Sequence, residues 1–139
     1  MVFDDLIYLL ERGGLGLTYS TNLFKGPKAI MPTGNGPYVS LIKAGGFGAE
    51  GTHNSPDVPA YERPTVQIVT RATDYDITDA KSAEIYALMY RTKNQFVNGT
   101  WWRSMKPRAE AFDLPADEKG RVRIAFYIEC VKRTSPATS

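Results

Sequence analysis

The sequence predicts an α+β domain: one mainly antiparallel β-sheet with two α-helices packed on it. Two segments carry helical periodicity, one at the N-terminus and one in the middle of the chain, and the other apolar segments alternate as strands do. The most regular alternation comes last, where one face consists of Val122, Ile124, Phe126, Ile128 and Cys130. A strand with one apolar face indicates a sheet that covers a core on that side.

The elements are predicted in the order helix, three strands, helix and two strands. Residues 2–12 form an amphipathic helix, since apolar residues recur at helical spacing and Gly13 and Gly14 then end it. A short edge strand lies in NLFKGPKAIMP, residues 22–32, which a Gly-Pro pair interrupts. PYVSLIKA, residues 37–44, is a better strand.

A long loop is predicted at residues 45–63, GGFGAEGTHNSPDVPAYER. Glycine and proline fill this segment, and a structureless connection of such length in a compact domain usually is a binding loop or a disordered insert. We expect the loop to be mobile in the free protein and ordered against a partner. The strand TVQIVTRA follows at residues 65–72.

The middle helix, predicted to start near Thr78 or Asp79 and to reach Lys93, is apolar on two sides. Ile85 and Met89 are assigned to the side opposite a face of small apolar residues. A helix apolar on two sides usually has neighbours on both. Two alternatives remain open for the packing partner of Ile85 and Met89: the N-terminal helix of the same chain, or a second subunit. The face of small residues consists of Ala80, Ala83, Ala87 and Tyr90.

Residues 96–112 resume strand character around a kink at Gly99 and contain two adjacent tryptophans. Because neighbouring residues of a strand face opposite ways, one of Trp101 and Trp102 fills the core and the other lies on a surface or an interface. The basic residues that follow would also suit stacking on single-stranded nucleic acid. The packing interpretation is favoured, since the net charge is only +2. These basic residues are Arg103, Lys106 and Arg108.

The size of the chain, 139 residues, is that of one domain. We expect this domain to occupy residues 1–134, with a flexible tail at 135–139. No apolar run reaches the ~20 residues that span a bilayer. The acidic N-terminus does not have the pattern of a signal peptide.

Catalytic and metal-binding groups are scarce in this sequence. The single histidine, His53, lies in the predicted loop, and the single cysteine, Cys130, lies on an apolar strand face where we expect it to be buried. Asp74, Asp76 and Asp79 come before the middle helix, where acids cap free N–H groups without any metal. We therefore expect no enzymatic activity, no metal and no cofactor.

Three stretches, in their order, resemble the tail terminator proteins of long-tailed bacteriophages, a group also described as phage minor capsid proteins. YERPTVQIVTRATDYDITDAKSAEIYALM, residues 61–89, combines an Arg-Pro entry, a strand ending in Arg-Ala, an Asp-Tyr pair and an alanine-rich helix. PADEKGRVRIAFYIECVKR, residues 115–133, has a charged turn before the last strand. The N-terminal helix and NLFKGPKAIMP precede both. The resemblance extends from about Met1 to Arg133.

The resemblance implies a structural, non-enzymatic virion protein at the head-proximal end of a tail, assembled in the host cytoplasm without a membrane. Members of that family form a hexameric ring that caps the tail tube, stops its polymerisation and presents a surface for joining the filled head. The implied partners are further copies of the chain, the tail tube protein and a head–tail connector or completion protein. DNA would pass through the channel without sequence-specific binding.

Two sets of residues are the candidate contacts in such a ring. The candidate subunit interface or channel consists of Ile85, Met89, Trp102, Arg121, Arg123 and Glu129, of which the last three lie on the polar face of the final strand. The candidate tail-tube docking loop offers Phe47, Glu50, His53, Asp57 and Tyr61.

Other roles remain open. Another head–tail joining or tail-tube component would share the small size and the lack of catalytic groups, although tube proteins are mostly β and this chain has a strong helix. A small nucleic-acid-binding domain would be distinguished by salt-dependent retention on DNA. A small enzyme is the third alternative.

Overall fold

A computed structural model describes residues 2–26, 36–50, 61–116 and 120–133, and it describes only the backbone at residues 2, 45–50, 61 and 62. The predicted α+β fold is confirmed. The elements of the described residues are α1 Val2–Arg12, β1 Leu23–Lys25, β2 Tyr38–Glu50, β3 Tyr61–Ala72, α2 Tyr75–Arg91, β4 Lys93–Val97, β5 Thr100–Pro107, β6 Phe112–Leu114 and β7 Val122–Arg133.

The strands form one sheet in the order β1-β2-β3-β7-β5-β4, and β6 also pairs with β7. β1 and β2 run parallel, whereas the other pairs are antiparallel. The sheet is therefore mixed rather than purely antiparallel. The last strand of the chain, β7, lies inside the sheet between β3 and β5, which explains its long apolar face.

β2 and β3 extend into the segment that the sequence predicts as a loop. Phe47 pairs with Arg63 and Glu50 pairs with Tyr61, with irregular register along β2. The prediction of a structureless loop is thus wrong for residues 45–50 and 61–63. Pairing with a neighbouring strand satisfies the peptide groups even where glycine disfavours a strand. Residues 51–60 lie outside the described part of the chain.

α1 has the predicted bounds and buries Leu6 and Leu10 completely. The helix ends against α2, and a Cβ atom at Gly13 would lie only 2.5 Å from Cδ2 of Leu88. A larger residue at this position would therefore require the Leu88 side chain to shift. Both helices contribute to one core with the same face of the sheet.

α2 begins earlier than predicted and buries a different face. Asp74, rather than Thr78 or Asp79, is the N-cap, and its side chain accepts a hydrogen bond from the Asp76 N–H. Ile85 and Met89 are fully buried against the sheet, together with Thr78 and Ser82. The residues predicted as an apolar face are all exposed: Ala80, Ala83, Ala87 and Tyr90. The prediction failed because alanine gains little from burial, whereas the two large side chains gain much.

The core lies between the helices and the sheet, with Phe126 near its centre. Phe126 is fully buried, and its ring meets Tyr86 of α2 edge-to-face with centroids 5.2 Å apart. The predicted burial of Ile124, Phe126, Ile128 and Cys130 is confirmed. Other sheet residues in this core are Val39, Leu41, Val66, Ile68, Trp102 and Met105.

Gly99 is a turn residue rather than a kink within one strand. β4 and β5 form an antiparallel hairpin around Asn98 and Gly99, whose φ angles are 50° and 82°. Positive φ at both central residues matches the twist of the flanking strands, and Asn-Gly is the pair that adopts it most readily.

Candidate functional site

The described residues contain no group of three His, Cys, Asp or Glu side chains arranged to hold a metal ion. The acids at the start of α2 serve the helix instead, as the cap at Asp74 shows. Neither α1 nor α2 is long and apolar enough to cross a membrane.

The single cysteine offers no reactive thiol. Cys130 is fully buried in the core, and burial raises the pKa of its thiol to about 12. Because the thiolate is the nucleophile, a low thiolate fraction and lack of access both slow reaction.

We expect Cys130 to resist Ellman's reagent in the folded protein at pH 8 and to react stoichiometrically once guanidinium unfolds the chain. A three-unit rise in pKa lowers the thiolate fraction roughly 1000-fold, before access is considered. The rate of labelling, followed by absorbance, measures the reactivity of the thiol in the folded and unfolded chain. Equally rapid labelling with and without guanidinium would contradict the burial.

Three of the six predicted interface residues lie in the hydrophobic core. Ile85 and Met89 are fully buried, and Trp102 is 1% exposed. Side chains without exposed surface do not present contacts to a second subunit, and these three pack in the core of the chain instead. One tryptophan does fill the core as predicted, and its neighbour Trp101 is the exposed one.

The other three predicted interface residues take part in contacts within the chain. The Arg123 guanidinium donates two hydrogen bonds to the Pro115 carbonyl oxygen, at 2.9 and 2.6 Å. Glu129 forms an ion pair with Arg63 at 3.5 Å, and Arg121 is only 9% exposed. These charges are therefore not a continuous exposed patch, and their part in assembly stays a prediction.

Three of the five residues of the predicted docking loop lie in strands. The backbones of Phe47, Glu50 and Tyr61 belong to β2 and β3. His53 and Asp57 lie outside the described residues.

Asp5 is a buried carboxylate that connects α1 to the β4–β5 hairpin. It is 1% exposed and accepts hydrogen bonds from the Trp102 indole N–H at 2.7 Å and from the Asn98 side-chain amide at 3.0 Å. From the sequence, Asp5 is indistinguishable from Asp4, because both are acids in the first turn of a helix. Asp4 forms a surface ion pair with Lys25 at 2.8 Å.

A basic groove lies on the sheet face opposite the helices. Its volume is about 550 Å³, and it spans β3, β7 and the end of β5. We define the basic groove by its charged residues, Arg63, Arg103, Lys106, Arg108 and Glu129. Four basic groups and one carboxylate give this groove more net positive charge than the +2 of the entire chain.

A β-bulge at Arg103 shapes this groove. Trp102 pairs with Lys132 and Ser104 pairs with Val131, so β5 has one extra residue between them. A bulge re-aims side chains. As a result, Trp102 enters the core while both Arg103 and Ser104 line the groove. The sequence predicted the basic residues of β5 but not the convergence of Arg63 with them.

A second groove, of about 490 Å³, lies between the ends of α1 and α2 and the edge strand β4. We call it the aromatic groove and define it by Tyr8, Arg12, Arg91 and Phe96. Phe96 is 68% exposed, and the Arg12 guanidinium lies 4.9 Å from the centroid of the Tyr8 ring. An exposed aromatic side chain on an edge strand is typical of a contact surface.

The other end of α2 is acidic. Tyr75 and Ile77 are about half exposed, at 49% and 48%. The carboxylates of Asp113 and Asp79, with burial and Asp76, raise the pKa of Tyr75 above its usual value. We call this surface the acidic end and define it by these residues: Tyr75, Asp76, Ile77, Asp79 and Asp113.

The fold is similar to that of a chain in the solved structure of the virion of a native gene transfer agent particle. The TM-score is 0.59, with 12% sequence identity over 94% of this chain and 93% of that chain. No protein-family model matches the sequence, and no curated protein matches it. At this identity the similarity shows a shared fold.

Proposed function

We propose that this chain is a structural virion protein, a tail terminator that forms a ring on the tail tube, stops its polymerisation and provides the surface for head joining. The observation that carries the proposal is the shared fold with a chain of a gene transfer agent virion over nearly the full length of both chains. The resemblance of residues 61–89 and 115–133 to tail terminators supports the same role. Such a role requires no catalytic group.

A closed ring requires two different surfaces on each subunit, because each copy contacts the next in a head-to-tail manner. The aromatic groove and the acidic end meet this requirement. They lie at opposite ends of α2, whose 17 residues span roughly 25 Å. Both carry exposed apolar side chains, and their charges are of opposite sign.

In the contact that we propose, the acidic end of one copy occupies the aromatic groove of the next. Ile77 and Tyr75 supply apolar area to Phe96, and Asp79 approaches Arg91. Complementary charges favour this orientation and oppose a head-to-head contact, in which like charges would meet. We propose a ring of six such contacts, with one face of the ring docked on the tail tube and another surface joining the head.

Reversing one charge of this contact is expected to prevent ring formation. Arg91→Glu places a carboxylate opposite Asp79, whereas Arg91→Glu combined with Asp79→Lys restores an attractive pair in every contact of the ring. We expect a mass of six copies for the parent chain at high protein concentration, loss of the ring in the single variant and recovery in the double variant. Light scattering measures the mass.

Lys106→Glu is the matched control, because it reverses a charge on the opposite sheet face and should leave the ring intact. Equal assembly of the single and double variants would refute the contact. A parent chain that stays monomeric can still be templated by the tail tube, so incorporation of the same variants into particles is then compared. In that comparison, an absence of parent chain from the head-proximal end of the tail would refute the terminator role.

Removal of the chain from the particle that contains it distinguishes the terminator from other virion components. A terminator's absence should give tails of uncontrolled length that fail to join heads. Tails of normal length without heads would favour a different head–tail joining component, and absence of tails would favour a tube component.

A further inference from the structure

We infer that the basic groove binds the phosphate backbone of a nucleic acid duplex. The groove lies within one chain, so this inference goes beyond the proposed ring and does not depend on it. Arg63 of β3 reaches the groove from one side of β7, while Arg103, Lys106 and Arg108 reach it from β5 and its end on the other. Basic residues from separate strands of the sheet thus converge on one concave surface, as the electrostatic footprint of a nucleic-acid site requires.

The side-chain chemistry of the groove suits phosphate. Three of the four basic groups are guanidinium groups, whose planar donor pairs match the oxygens of a phosphodiester. Glu129 offsets one positive charge through its ion pair with Arg63. A carboxylate beside the arginines also limits affinity, which suits contact with a backbone rather than tight capture of a free anion.

The lining of the groove favours a nucleic acid over an acidic protein segment. Protein segments are usually anchored by apolar side chains that enter a pocket. The apolar lining of this groove consists only of Val131 and Pro107 among the described residues, and the remaining lining is charged apart from Ser104. Backbone contacts of this kind carry no sequence information.

Salt dependence of binding to a fluorescein-labelled 20-base-pair duplex (a probe of about two helical turns) tests the inference. With about three phosphates neutralised, the logarithm of the association constant should fall with the logarithm of salt concentration at a slope of about −2.7. Affinity should therefore drop about 40-fold on a fourfold rise in salt. Fluorescence anisotropy provides the measurement.

Lys106→Ala and Arg103→Ala should each weaken binding and make the slope less negative by about 1. Arg91→Ala is the matched control, since it removes a positive charge from the helix side of the molecule and should leave the slope unchanged. Circular dichroism verifies that all three variants fold. Equal loss in all three variants, or no loss in any, would refute the assignment to this groove.

Competition separates the two classes of occupant. Unlabelled duplex should displace the probe, whereas poly-L-glutamate at equal charge concentration should displace it much less. Equal displacement by poly-L-glutamate would overturn the inference in favour of an acidic protein partner. Because the DNA-binding assay requires no ring, a lack of binding would not contradict the terminator proposal. Equally, a lack of ring formation would not contradict DNA binding by the basic groove.

Discussion

Phe126→Ala is expected to lower the free energy of unfolding by about 3–5 kcal/mol, a large share of the 5–15 kcal/mol that usually stabilises a domain. Phe126 is fully buried and pairs with Ile68 of β3, while its ring meets Tyr86 of α2. Truncation to alanine would remove the contacts of this ring with α2 and leave a cavity in a close-packed core. Denaturation in urea, followed by far-UV circular dichroism, measures the change.

Phe96→Ala is the matched control for this prediction. It makes the same chemical change on an edge strand, where the ring is 68% exposed and the residue pairs with Trp101 of β5. The expected loss is less than about 1 kcal/mol. Similar losses at the two positions would mean that the core does not centre on Phe126.

Asp5→Ala is expected to cost about 1.5–3 kcal/mol, the usual range for hydrogen bonds to a charged group. The substitution leaves the buried Trp102 indole N–H without its acceptor at 2.7 Å and removes the hydrogen bonds that connect α1 to the β4–β5 hairpin. Urea denaturation of Asp5→Ala, Trp102→Phe and the double variant yields the coupling energy between the two side chains. We expect the double variant to lose clearly less stability than the sum of the single variants.

Asp4→Ala is the control, at the adjacent position of the same helix turn. Asp4 pairs with Lys25 at the surface, where solvent screens the interaction, so its loss should move the urea midpoint far less. Additive losses for Asp5 and Trp102 would contradict a direct interaction. Equal losses for Asp4 and Asp5 would mean that the helix dipole, rather than the buried contact, explains the acid.

Local periodicity was enough for the elements whose signals lie within a few residues. The period of two in β7 predicted the burial of Ile124, Phe126, Ile128 and Cys130, because strand geometry places alternate residues on one face wherever that strand is. It did not predict that Val122 on the same face is only half-buried, or that Ala125 on the other face is fully buried. The bounds of α1 followed from a helical repeat that ends at two glycines. The alternation of Trp101 and Trp102 was also predicted, although the sequence did not distinguish the buried one from the exposed one.

The candidate sites required contacts between distant segments. The orientation of α2 depends on which of its two apolar sides the sheet can bury, and the larger side chains, Ile85 and Met89, gained more than the alanines. Asp5 differs from Asp4 only through the position of Trp102, and the basic groove exists only because β7 joins β3 to β5. Periodicity is a property of one segment, whereas burial and charge convergence are set by the neighbours that the sheet order supplies.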